Sequence, residues 1–135
     1  MPGAQKKLYH AFCMKKTYQT GLAGEQAAAD WLIRNRRMKL LETRHRNKAG
    51  EIDLIMLDQE TLVFVEVKTR IHAVPGTGLM AVDRRKQQRI ARAAMVYMMM
   101  HGWQNRVCRF DAVEVTENNI LHVTNAFQPG GMFYQ

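Results

Sequence analysis

The run GEIDLIMLDQETLVFVEVKTR, from Gly50 to Arg70, alternates apolar and polar positions around a short polar centre. That pattern predicts a β-hairpin. Strand side chains point alternately to opposite faces. One face carries Ile52, Leu54 and Met56, then Val63, Val65 and Val67; it is wholly apolar and must be covered by another layer. The other carries Glu51, Asp53, Ile55 and Leu57, then Leu62, Phe64, Glu66 and Lys68. Its half nearest the turn is apolar and its distal half is charged, whereas an ordinary solvated face spreads its polar residues along the strand.

The flanking segments supply the covering layers. Thr20 to Met38 predicts a helix, with Leu22, Ala29, Leu32, Ile33 and Arg36 at helical spacings. Glu25 falls in its first turn, where the helix dipole favours a carboxylate. A short strand follows at Lys39 to His45, then a polar turn at Asn47 to Gly50. After the hairpin, IHAVPGTG reads as a loop, and Asp83 as the N-cap of a second helix, Arg84 to His101. Ile90, Ala93, Ala94, Tyr97 and His101 form its apolar stripe, and the methionines of MVYMMM read as core filler. Gly102 ends the helix, and Val107 to Val115 and Ile120 to Phe127 read as two more strands. The order is helix, three strands, helix, two strands, an α/β sandwich on a mixed sheet. Residues 1–19 read as a basic, partly flexible lead-in, 20–128 as one domain and 129–135 as a tail.

Composition agrees with one globular domain: 135 residues, 47% hydrophobic and 24% charged. No apolar run could span a bilayer and the N-terminus lacks a signal peptide's apolar segment, so a cytoplasmic protein without a membrane partner is expected. Cys13 and Cys108 make no disulfide framework, with Cys108 expected in a strand. The five histidines show no metal-binding spacing and read as surface or satisfied residues, with His45 and His72 as weak candidates for phosphate contact. Charge says more. A net charge of +8 attracts polyanions, most commonly nucleic acid. Arg34, Arg36, Arg37, Lys39, Arg44, Arg46 and Lys48 crowd one segment; Arg84, Arg85, Lys86, Arg89 and Arg92 crowd another. A single cluster would read as a solvated face, but two flanking an acidic group favour nucleic acid. Arg44, Arg46, Lys48, Arg70, Arg85, Lys86 and Arg89 are the expected contacts.

If DQET is a four-residue loop closed by Leu57 and Leu62, Asp53 faces Glu66 and Glu51 faces Lys68. Like charges placed directly opposite are destabilising and need a counter-charge. Lys68 could supply part of it, and a divalent cation more. Oxygen ligands of this kind suit Mg²⁺ or Mn²⁺, which take the rest of their shell from water and phosphate. The bland alternative is a hairpin of simple salt pairs.

Asp53 followed by Glu66-Val67-Lys68 resembles the D…(D/E)-x-K core of the PD-(D/E)XK nuclease superfamily. More narrowly, the chain resembles the YraN family of predicted endonucleases related to archaeal Holliday junction resolvases. The similarity rests on Gly21, Gly24 and Glu25, on GEIDLI at Gly50 to Ile55, and on VFVEVKTR at Val63 to Arg70. Val82 with Lys86, RFD at Arg109 to Asp111 and NAF at Asn125 to Phe127 add to it. The resemblance implies a restriction-endonuclease-like core, a mixed central sheet flanked by two main helices. It implies Mg²⁺ or Mn²⁺ on Asp53 and Glu66, Lys68 serving the attacking water, and Glu25 completing the site. The implied activity is hydrolysis of phosphodiester bonds in DNA rather than RNA, including branched or recombination-related DNA, and a homodimer would present two such sites. It assigns no role to Glu51 or Asp111. The chain departs from the family pattern at Arg44, where Asn is expected. A non-catalytic nucleic-acid-binding or scaffold protein on the same fold is the competing expectation.

Overall fold

The computed structural model describes residues 17–70 and 83–128. The lead-in before Thr17, the loop expected after Arg70, the tail from 129 onward, and with them Cys13, His72 and Val82, lie outside these residues. The described elements run α1 (Thr17–Arg36), β1 (Lys39–Asn47), β2 (Gly50–Asp58), β3 (Thr61–Thr69), α2 (Arg84–Met100), β4 (Cys108–Val115) and β5 (Ile120–Val123). The five strands form one mixed sheet in sequence order, antiparallel except for the parallel β3–β4 pair. A helix packs on each face, so the α/β sandwich expected from the pattern is the observed fold and is consistent with a nuclease-like core.

The apolar hairpin face meets α1. Leu54, Met56, Val63 and Val65 are buried against Ala27, Ala28, Ala29 and Leu32. The stripe expected on this helix is shifted: Leu22 and Ile33 are exposed, and the buried face is built of small residues. Small side chains let the helix axis lie close to the sheet, which larger ones at the same positions would prevent. The second hairpin face meets α2, where Ile55, Leu62 and Phe64 pack on Ile90, Ala93, Ala94 and Tyr97. Met98 joins this core, but Met99 and Met100 are exposed, so core filling accounts for only part of the methionine run. Asp83 caps α2 by accepting from the Lys86 backbone N–H. Gly102, at φ 68°, turns the chain out of it.

Ile52 departs from strict alternation. It packs in the α2 core rather than with Leu54 and Met56. Two local features allow the change of side. The β2–β3 ladder ends at Leu54↔Val65, and in β1, between the pairs Thr43↔Leu54 and His45↔Ile52, Arg44 takes a left-handed φ of 48°. The hairpin turn is also tighter than expected, since Asp58 pairs with Thr61 and leaves only Gln59 and Glu60 at the tip. Strand β5 stops at Val123 instead of reaching Phe127, because Asn125 turns into the left-handed region at φ 53°.

That turn is held by a buried carboxylate. Asp111 is fully buried on β4 and accepts from the Asn125 backbone N–H at 3.0 Å and from Arg109 Nε at 3.1 Å. His122 Nε2 lies 2.8 Å from its other oxygen. Arg109 reaches on to Asp58 at 2.9 Å, tying β4 to the hairpin tip. Burial opposes the Asp111 charge, but hydrogen bonds from His122, Arg109 and Asn125 outweigh it and hold its pKa below the ordinary value. The stability it contributes is therefore present above its unfolded pKa and is lost as pH falls through the folded one. Asp111→Asn leaves Arg109 and His122 short of a charged partner and should lower the unfolding free energy by about 3 kcal/mol, read from urea denaturation.

Candidate functional site

Where the β2–β3 ladder stops, the side chains take over. Asp53 turns its carboxylate to the neighbouring strand and accepts from the Val67 backbone N–H at 2.8 Å, in place of the next ladder bond. This sets it near enough to Glu66, which is only 5% exposed, for the charge of Glu66 to act on it. The expected juxtaposition of the two acids thus survives the loss of regular pairing. The expected opposition of Glu51 and Lys68 does not. Glu51 pairs across β1 with Arg46 at 3.2 Å on an exposed rim, because β2 stays in register with β1 after it leaves β3.

Both lysines near Glu66 converge on one oxygen. Lys68 Nζ lies 3.6 Å from Oε1, and Lys86 Nζ, from the first turn of α2, makes a direct ion pair with the same atom. Glu25 approaches from α1 and is held by Arg44, Nε to Oε1 at 2.8 Å. It sits well inside the helix, not in its first turn, because α1 begins already at Thr17. The helix dipole therefore does not explain Glu25. Its favourable partner is Arg44, and burial opposes its charge strongly enough to raise its pKa against the pull of that arginine.

A cavity of about 400 Å³ is lined by Glu25, Arg44, Glu51, Asp53, Glu66, Lys86 and Arg89 with Gly50 and Ile90; Lys68 stands behind Glu66 and is not part of the lining. Of the basic residues expected to contact nucleic acid, the structure places Arg44, Lys86 and Arg89 on this lining. Arg46 pairs with Glu51 at its rim, Lys48 and Arg85 are exposed away from it, and half-buried Arg70 follows the end of β3. His45 is not a phosphate ligand. Its buried ring is held between Glu42 Oε2 at 2.6 Å and Asn47 Nδ2 at 2.9 Å and packs edge-on against Tyr97.

The charges in this cavity are not at rest. Burial, and then repulsion from Glu66, push Asp53 from an ordinary 3.8 up to about 8. Burial and the hydrogen bond with Lys86 lower Lys68. Burial would lower Lys86 too, but its bonds to Glu66 and Lys68 prevail and its pKa is raised. An acid that keeps its proton at neutral pH beside a second acid is relieved by a cation. Among the described residues no three His, Cys, Asp or Glu side chains converge closely enough to hold a metal alone. Two carboxylates open to a cavity fit Mg²⁺ or Mn²⁺, which retain waters and share a phosphate, better than an ion needing a full protein cage.

One residue here escaped the sequence reading. Glu114 is fully buried on β4, in register with Lys68. Its signal is the same as that of Glu66, a carboxylate within an apolar strand on the face shared with Phe110 and Ala112.

Gly24 explains how Glu25 is delivered. A Cβ at Gly24 would collide with Thr69 Oγ1 and lie 3.3 Å from Thr69 Cβ, at the end of the strand that carries Glu66 and Lys68. Gly24→Ala should cost about 1–3 kcal/mol of stability by overpacking, measured by chemical denaturation. Asp53 generates a pH dependence of opposite sense to that of Asp111. Its unfolded form releases the proton near 3.8 while the folded form keeps it to about 8, so rising pH lowers stability across that interval and no further above it. Urea unfolding of the wild type should lose stability relative to Asp53→Asn over that range; parallel pH profiles would contradict the assignment.

Comparison with known proteins now adds identity. The family model described as "Uncharacterised protein family UPF0102" matches residues 24–115. A UPF0102 protein of Stutzerimonas stutzeri strain A1501 is 38% identical over 120 residues, covering 85% of this chain and 99% of the relative. Another, from Alkalilimnicola ehrlichii, is 41% identical over 114 residues, 84% of this chain and 90% of its own. One from Pseudomonas putida strain W619 is 44% identical over 94 residues, 69% and 76% respectively. The match takes in α1 from Gly24 to the end of β4, and with it every residue of the carboxylate cavity: the chain belongs to the UPF0102 family.

Proposed function

We propose that this protein is a divalent-metal-dependent nuclease that hydrolyses phosphodiester bonds in DNA, including branched or recombination-related DNA. The observation that carries the reading is the contact of Asp53 with buried Glu66 in a cavity lined by Lys86, Arg44 and Arg89. Folding gains nothing from pressing two carboxylates together out of water. A site meant to collect a cation and then a phosphate needs that arrangement.

Asp53 and Glu66 would hold Mg²⁺ or Mn²⁺, which when bound polarises a phosphoryl oxygen and makes water a better nucleophile. The chain's own groups do the rest. Lys68, anchored two residues from Glu66 on the same strand face, orients the water and neutralises charge that develops at the phosphate. Arg89 and Arg44 offer forked donors to the non-bridging oxygens of the phosphate. Glu25 supplies a third carboxylate at the edge of the cavity once Arg44 turns to the substrate. The net charge of +8 draws the polyanion in.

A second reading has its own support. Lys86 already neutralises Glu66, and a domain that binds nucleic acid without cutting it would be stable in that state. One experiment separates the two. Linear, single-stranded and four-way-junction DNA are offered to the purified protein with Mg²⁺ and with Mn²⁺. The nuclease reading expects metal-dependent cleavage that falls by about 100-fold or more in Asp53→Ala, Glu66→Ala and Lys68→Ala while DNA binding persists. Cleavage that is unchanged in all three variants removes the site assignment. DNA binding with no cleavage under any condition favours the binding domain.

A further inference from the structure

Glu66 has more positive charge at one oxygen than neutrality requires. Lys68 reaches it from the same strand, on a backbone fixed by the parallel ladder to β4. Lys86 reaches it from another element altogether. The Asp83 cap fixes its backbone at the start of α2, but its side chain is about one-third exposed, against 6% for Glu66. A lysine stem of four carbons can withdraw its ammonium without any movement of the helix. It lines the cavity that Arg89 and Arg44 also line.

We propose that Lys86 is the resting counter-ion of the Asp53–Glu66 pair, which a divalent cation must displace and which then passes to the phosphate of the nucleic acid in the same cavity. This rests on the metal site of the nuclease reading. A doubly charged cation added at Glu66 Oε1, where two lysines already converge, is strongly repelled by the Lys86 ammonium in direct contact with that atom, so the ammonium and the metal compete for it. A phosphate removes the competition by offering Lys86 a new anion. Metal and nucleic acid therefore strengthen each other's binding through one side chain, and by linkage the effect is reciprocal. The metal binds weakly before the substrate arrives, so the site is not loaded in its absence.

The test needs no catalysis. Mn²⁺ is titrated by calorimetry into the full chain without nucleic acid, using the wild type, Lys86→Met, Lys86→Gln, Lys86→Arg and Glu66→Gln. Removing the ammonium should tighten Mn²⁺ binding roughly fivefold or more in both neutral variants, while Lys86→Arg stays near the wild type. Mn²⁺ should also improve DNA affinity, read by fluorescence anisotropy, less in Lys86→Met than in the wild type. Two neutral variants guard against one that fails to fold. Mn²⁺ affinity that is unchanged or weaker in both, with binding still abolished in Glu66→Gln, overturns the role of Lys86 and leaves the metal site standing. Mn²⁺ binding absent from the wild type and from every Lys86 variant overturns both together.

Discussion

The structure at the end of the hairpin is organised by one unfavourable contact, that of Asp53 with Glu66. Two carboxylates lie together, largely out of water, on adjacent strands that have stopped pairing. Each neighbouring element contributes something that makes this tolerable. Strand β3 gives the Val67 N–H and Lys68, helix α2 gives Lys86, and Asp53 keeps a proton. Helix α1 brings a further acid, Glu25, together with its own counter-ion from β1. None of this improves the core, which is complete without it on both faces of the sheet. Strained electrostatics concentrated in a cavity are what a binding or catalytic site requires.

Asp111 shows the contrast within the same chain. It too is a buried aspartate on a strand of this sheet, yet its pKa is lowered where that of Asp53 is raised. The difference is in partners, not burial. Arg109, His122 and the Asn125 N–H all present donors to Asp111, and Trp31 packs edge-on against the His122 ring to close the site. Asp111 is a clasp that joins β4, the turn after β5 and, through Arg109, the hairpin tip. Asp53 has one backbone donor and an acid for a neighbour. One aspartate is satisfied by the fold, and the other is left with a raised pKa at the edge of a cavity.

The element order and the facing of the hairpin were legible because alternation with period two allows only one division into faces, and the register followed from the turn as far as Leu54↔Val65. Legibility ended where local geometry broke the period. Arg44 in a left-handed conformation, the end of the ladder and the displaced Ile52 leave no mark on a pattern of apolar and polar letters. The charge clusters named basic residues that line the cavity together with others that do not. Lys86, Arg44 and Arg89 differ from Arg85 and Lys48 only in where helix phase and strand register send them. Glu25 was found by its neighbours Gly21 and Gly24, but the reason given for it failed, since the helix starts too early for a dipole effect. His45, read as a surface or satisfied residue, is of the satisfied kind, although nothing in RHRN shows that its ring turns inward onto Tyr97.

Arg44 joins these threads. Its φ of 48° is a conformation that costs most side chains about 1–2 kcal/mol and that Asn tolerates best. An Asn at this point, which the family resemblance leads one to expect, would satisfy the backbone. The backbone therefore does not account for an arginine here; the cavity does. From this position the guanidinium reaches Glu25 across from β1, and a Cβ at Gly21 would lie 3.2 Å from its Nη2, so α1 is trimmed to make room for it. An Asn side chain is too short to pair with a carboxylate on a neighbouring helix in this way. Arg44 thus holds the left-handed position in β1 and is at the same time the counter-ion of Glu25. In this chain Glu25 and Glu66 are each held by a basic side chain from another element, Arg44 and Lys86, that could equally bind a phosphate. Both acids that border the cavity are thus held by cations that other elements supply, and that pairing, not the backbone, decides which side chains stand there.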